Sequence, residues 1–208
     1  MLNNFMIVQI NGKRILGWET MIIDKKEIIL KNGQKILIQS ATEKDAESLC
    51  HHRYITSCES YFMARYPEEI SLDIEGMKER LVAIEKDEKD FTITAFLDGK
   101  IIGDAGVTKI RNHMKYQHRA YFGISILKEY CNQGLGKYIL DIALEQAKKN
   151  CFEQVELGVF EDNIRAIHLY EKCGFEKVGI QPRAFKLKDG TYRDEVQMVH
   201  IFNGIENI

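Results

Sequence analysis

Between Tyr121 and Phe160 one strand-like run leads through the turn Gln133-Gly-Leu-Gly136 into a helix-patterned segment and then into a second strand-like run, Gln154–Phe160. Two strands joined by a helix and lying side by side in one sheet must run parallel, with a right-handed crossover. In the helix after Gly136, Leu135, Tyr138, Ile139, Ile142 and Ala143 form the expected inner stripe, and Lys137, Asp141, Glu145, Lys148 and Lys149 point outward.

The rest of the sheet is antiparallel by expectation. Asn11-Gly12, Asn32-Gly33, Asp98-Gly99 and Asp189-Gly190 each lie between apolar runs. These dipeptides accept the positive φ angles of tight hairpins. The predicted partners are Phe5–Ile10 with Arg14–Trp18, Glu27–Leu30 with Lys35–Gln39, Phe91–Leu97 with Ile101–Lys109, and Val178–Lys186 with Tyr192–Ile201. Thr42-Glu-Lys-Asp45 reads as a helix start with acids in the first turn, opening a helix to about Ser57. A second helix is expected from Leu72 to Glu88, and a fourth from Asn163 to Cys173. The fold class is therefore α/β (α+β), a mostly antiparallel mixed sheet with one parallel pair and helices on both faces. Residues 1–33 read as an N-terminal β-hairpin extension that lengthens the sheet or mediates a homodimer, and residues 34–208 as the main domain.

At 208 residues, with net charge −2 and a pI of about 6.3, the chain has no global positive field for nucleic acid. No run approaches the roughly 20 apolar residues of a membrane span, and the N-terminus lacks the basic start of a signal peptide. Cys50, Cys58, Cys131, Cys151 and Cys173 form no Cys-x-x-Cys pair, which favours reduced thiols in a cytoplasmic protein over disulfides or zinc. His51 and His52 are neighbours on a helix, about 100° apart, and make no i,i+4 metal pair. No metal is expected.

The glycine turn has a chemical reading. Glycines between a strand and a helix let backbone N–H groups approach phosphate oxygens, and the helix dipole stabilises the charge. By itself Gly134-Leu-Gly136 is weak evidence and reads first as a tight turn with close helix packing. Asn163, Ala166 and Tyr170 share one face of the fourth helix, and the parallel strand pair brings that face to the same crevice. Asn163 also reads as a helix cap, and Tyr170 as a half-buried core tyrosine.

Cys131-Asn-Gln-Gly134-Leu-Gly136, followed by Asn163, Ala166, Leu169, Tyr170, Gly174 and Phe175, resembles the paired signature of the GCN5-related N-acetyltransferase (GNAT) superfamily. The resemblance covers about Gln34 to Phe202. It implies an acetyl-CoA-dependent N-acetyltransferase that moves an acetyl group to a primary amine of a small molecule or a peptide N-terminus, by direct attack in a ternary complex. It implies that Ile124, Ser125 and Ile126, after a bulge, pair with the pantetheine arm, and that the Ile126 N–H polarises the acetyl carbonyl. It implies that the amides of Gln133, Gly134, Leu135, Gly136 and Lys137 hold the pyrophosphate, that Asn163 bonds the pantetheine beside Ala166, and that Tyr170 protonates the leaving thiolate. A CoA-binding regulatory or interaction module without turnover is the alternative.

Two positions depart from the family pattern. Cys131 stands where Gln or Arg is usual, and Ala120 stands where histone-type members place a catalytic glutamate. Glu161, Asp104, His118 and Tyr121 are candidate bases by location alone. The acceptor site is expected between the linker Cys58–Ile70 and the closing hairpin at about Gln181–Tyr192. Glu59, Glu68 and Glu69 beside Tyr61, Phe62 and Tyr66 suit a cationic amine, whereas Arg183, Lys186 and Lys188 suit an anion. The tail after Asp189 resembles the branch of spermidine and ribosomal-protein N-terminal acetyltransferases.

Overall fold

A computed structural model describes residues 6–10, 13–17 and 22–202. In chain order the elements are β1 (Met6–Ile10), β2 (Lys13–Gly17), β3 (Lys26–Ile29), β4 (Lys35–Gln39), α1 (Ala46–Glu59), α2 (Ile74–Glu85), β5 (Phe91–Leu97), β6 (Lys100–Lys109), β7 (Arg119–Ile126), α3 (Leu135–Lys149), β8 (Gln154–Phe160), α4 (Ile164–Lys172), β9 (Glu176–Lys186) and β10 (Tyr192–Ile201). Strands β1 and β2 pair with each other, and β3-β4-β5-β6-β7-β8-β10-β9 form one eight-stranded sheet. Among the described strands only β7 and β8 pair in parallel. The mixed sheet expected from the sequence is the one observed.

All four predicted hairpins form, as β1–β2, β3–β4, β5–β6 and β9–β10. Gly33, Gly99 and Gly190 have φ of +85°, +82° and +84°, the conformation for which the turns need glycine. The Asn11-Gly12 turn and Trp18 lie outside the described residues. The expected boundary at residue 33/34 falls inside the β3–β4 hairpin. Strand β3 lies at the edge of the large sheet, and Ile23, Ile28 and Leu30 are buried in its main core.

Alternation along β5, β6 and β7 gives the sheet two unlike faces. Phe91, Ile93, Ala105, Val107, Ala120 and Phe122 face the main core with Leu135, Ile139 and Ala143 of α3 and Ile167 and Tyr170 of α4. The other face carries Thr92, Thr94, Asp104, Gly106, Tyr121, Gly123 and Ser125, and α1 and α2 cover it. A small second core of Ala46, Leu49, Leu81, Phe96 and Ile101 holds those helices down at one end.

Three expectations are corrected. Helix α2 starts at Ile74, because Asp73 caps it by accepting from Gly76 N at 2.9 Å; Leu72 precedes the cap and is exposed. Tyr138 is exposed, and Leu140 and Ala147 fill the inner face of α3 instead. Strand β7 contains no bulge against β6, its register running unbroken from Lys109↔Ala120 to Gly103↔Ile126.

Candidate active site

Strands β7 and β8 pair only at Arg119↔Gln154, Ala120↔Val155 and Tyr121↔Glu156. Beyond that point β7 stays with β6 as far as Ile126, and β8 stays with β10 as far as Phe160. The two strands therefore part without a bulge, each held by its outer neighbour. The Tyr121 hydroxyl stands in the fork and accepts from Gly158 N at 3.2 Å.

The amides lining the gap follow from the ladder. Leu127 N donates to Ile102 O at 3.0 Å, towards β6. Successive strand amides alternate sides, so the N–H groups of Ile126 and Ile124 point away from β6 into the gap, and that of Ser125 points to β6. Of the three predicted pantetheine-pairing residues, two therefore present donors to the gap. Ser125 instead aims its side chain at the α1/α2 face.

The glycine turn closes one end of the gap. Gly134 precedes α3 with φ +94°. A Cβ on Gly136 would lie 3.0 Å from Leu169 Cδ2 and 3.4 Å from Ile126 Cδ1, so this glycine lets α3 approach both α4 and β7. The amides of Gln133, Gly134, Leu135 and Gly136 donate to no other described residue, and they converge at a helix N-terminus. The Lys137 amide differs, turning back to Gly134 O at 3.1 Å, and its ammonium pairs with Asp141. Cys131 tucks its sulfur towards Leu127 O at 3.6 Å. The turn between β3 and β4 braces this loop, with Lys31 N donating to Gln133 O at 3.2 Å and Asn32 bonded to the Gln133 side chain. Nothing in the sequence linked residues 31 and 133.

Helix α4 faces the gap from the far side. Asn163 caps it, its Oδ1 accepting from Ala166 N at 3.3 Å. Tyr170 is buried between Phe122 and Phe175 with ring centroids 6.5 and 5.8 Å away. Its hydroxyl makes no hydrogen bond to a described residue. Burial, and then the nearby Tyr121, push its pKa well above the ordinary tyrosine value, so the phenol keeps its proton.

On the α1/α2 face, β5, β6 and β7 enclose with the helices a cavity of about 270 Å³. Gly106 and Gly123 stand opposite each other in its floor, and a Cβ on either would meet nothing within 4 Å. Arg53, Arg80, Asp104, Thr108, Tyr121 and Ser125 contribute its polar lining. Asp104 is buried, accepts from Thr94 Oγ1 at 3.0 Å and faces Arg53 at 3.6 Å; burial raises its pKa despite that arginine. Of the other candidate bases, Tyr121 lines the cavity, whereas Glu161 accepts from Asp194 N at 3.3 Å and His118 offers its carbonyl to Glu153 N at 2.8 Å.

His52, placed by the sequence in no metal pair, is buried on α1 with its Nε2 2.9 Å from Ser125 Oγ. Its Nδ1 has no hydrogen-bond partner among the described residues, and burial depresses its pKa to about 4. No local pattern announced this pair, because it is made across 73 residues of chain.

The linker and the closing hairpin clasp each other. Glu68 pairs with Lys188, and Lys188 N donates to the Tyr66 hydroxyl at 3.0 Å. Glu59 accepts from Lys128 N and Glu69 from Tyr66 N, each at 2.8 Å. Tyr61 donates to Asp162 at 2.6 Å, and Arg183 lies over the Tyr192 ring at 3.9 Å. Of the opposed charges noted in the sequence, Glu68 and Lys188 pair with each other, whereas Glu59 and Glu69 accept from backbone amides and Arg183 and Lys186 lie over the Tyr192 ring.

The acetyltransferase (GNAT) family model matches residues 51–175, more than half of the chain and the whole of the forked-strand site. The chain belongs to this GNAT family of acetyltransferases. A solved GNAT-family acetyltransferase from Streptococcus pneumoniae is 32% identical and superposes with a TM-score of 0.77, over 80% of this chain and 99% of that one. The L-amino acid N-acetyltransferase AaaT of Escherichia coli (strain K12) is 28% identical over 110 residues, 52% of this chain and 67% of AaaT. A phosphinothricin acetyltransferase from Sinorhizobium meliloti, solved in complex with acetyl-CoA, shares the fold at 21% identity and a TM-score of 0.70, over 79% of this chain and 87% of that one.

Proposed function

We propose that this GNAT-family chain transfers the acetyl group of acetyl-CoA to a primary amine by direct attack in a ternary complex. The observation that carries the proposal is the fork beyond Tyr121↔Glu156, which turns the Ile124 and Ile126 amides into a gap between the glycine loop and Tyr170. The residues fit the donor. The unbonded amides from Gln133 to Gly136 suit the pyrophosphate, and the Ile124 amide and the Asn163 amide group suit the amide-bearing pantetheine arm.

In this reading the Ile126 N–H stabilises the negative charge that develops on the thioester oxygen as the amine nitrogen attacks the carbonyl carbon. The carbon–sulfur bond then breaks, and Tyr170 passes its proton to the departing thiolate. The nitrogen's surplus proton leaves to solvent, and Tyr170 is reprotonated in turn. A tyrosine whose pKa is raised by burial is a strong base once ionised, so it does not stay ionised.

Calorimetry with acetyl-CoA, and thiol release with a panel of primary amines, test the proposal. Micromolar-to-millimolar binding and amine-dependent thiol release are the expected results. No heat at millimolar acetyl-CoA would refute the donor, and binding without thiol release on any amine would favour a CoA-binding module.

A further inference from the structure

The cavity under α1 and α2 adjoins the proposed acetyl end of the gap. Asp104 pairs across the sheet with Ser125, and the next residue on that strand is Ile126. The cavity exists because of two absent side chains: Gly106 and Gly123 face each other in the register and leave its floor bare. At about 270 Å³ it lies just below the roughly 300–1,000 Å³ of ordinary small-molecule pockets, so it holds one small molecule.

Its charges do not balance. Arg53 and Arg80 both line it, and among the described residues Asp104 is the single lining carboxylate. Arg53 approaches Asp104 only to 3.6 Å, without the forked contact an arginine makes with a committed partner. Arg80 makes no ion pair with a described residue. Partial burial first, and then the charge of Arg53, lower its pKa, with Asp104 opposing the shift and Arg65 adding to it. Of the acids once expected to receive a cationic acceptor, Glu59, Glu68 and Glu69, none lines this cavity, and Glu68 is paired with Lys188.

Resting on the acetyltransferase reading, we infer that the acceptor is a small amine bearing a carboxylate, with its anionic end held by Arg80 and Arg53 and its amino end beside Asp104 and Ser125. The lining leaves one net positive charge for that carboxylate. A polyamine would bring cations to two arginines and is disfavoured.

The test compares the standard L-amino acids with their amides and their decarboxylated amines, by thiol release and by ligand-observed NMR binding with CoA present. For the preferred side chain, the acid should exceed its amide at least about tenfold in kcat/KM and in affinity. Arg80→Gln should bring that ratio close to one while leaving acetyl-CoA affinity unchanged. Gly123→Val should fill the cavity and abolish acid binding while retaining acetyl-CoA binding and cooperative unfolding. Amides or plain amines equal to the acids in wild type, an acid-to-amide ratio untouched by Arg80→Gln, or turnover confined to peptide N-termini would each overturn the inference. Because NMR binding is read separately from turnover, an absence of acetyl transfer would refute the catalytic reading alone, and the carboxylate preference would still be decided.

Discussion

The imidazole Nε2 of His52 sits 2.9 Å from the hydroxyl of Ser125, and this contact ties helix α1 to the strand whose next amide, that of Ile126, faces the forked gap. Both residues are held within the fold, so the pair fixes the position of β7 where it leaves its parallel partner. The neutral imidazole is the form that fits, since burial holds its pKa at about 4.

That depression has a sign that can be measured. A histidine with a folded pKa near 4 and an unfolded value of about 6.5 favours folding fully above pH 6.5. The contribution is lost as pH falls towards 4, because the unfolded chain takes up the proton first. The difference corresponds to about 3 kcal/mol across that window. Urea unfolding of the wild type should show this loss between pH 7.5 and pH 4.5, and His52→Gln should flatten it. An unchanged pH slope in the variant would remove His52 as its source.

Tyr170 carries the proton in the proposed reaction. Tyr170→Phe should lower kcat by about 100-fold, in the range typical of general acids, while calorimetry with acetyl-CoA stays within about twofold. Because burial raises the pKa of this phenol, the wild-type rate should show no loss from its ionisation up to pH 10. Equal kcat for variant and wild type would exclude the role.

The two glycines of the turn should fail for different reasons. Gly134→Ala places a side chain at φ +94° and should cost about 1 kcal/mol from the backbone. Gly136→Val drives branches into Leu169 and Ile126 and should cost about 1–3 kcal/mol by overpacking. Both should raise KM for acetyl-CoA more than they lower kcat. Unfolding curves and steady-state kinetics separate the two costs.

The brace between the β3–β4 turn and the glycine loop is testable apart from chemistry. Asn32→Ala removes its bond to Gln133 and should raise KM for acetyl-CoA a few-fold, with kcat and the acceptor KM unaltered. An unchanged acetyl-CoA KM would show that the loop holds its shape without residue 32.

Four turn dipeptides and a strand–glycine–helix–strand segment already determined the hairpins and the parallel pair, and the Asn163-to-Phe175 series put forward the proposed donor-side residues. Their physics is local, since a positive φ, a helix dipole and a helical face each involve residues a few positions apart. Tertiary structure alone decided the rest. The fork arises because β7 and β8 each keep a different outer neighbour, not from a bulge within one strand. The cavity joins Arg53 and Arg80 on two helices to Asp104 on β6 and the facing Gly106 and Gly123, while His52 reaches Ser125 across 73 residues. Such groupings are set by strand register and helix docking, and neither is written in the spacing of residues along the chain.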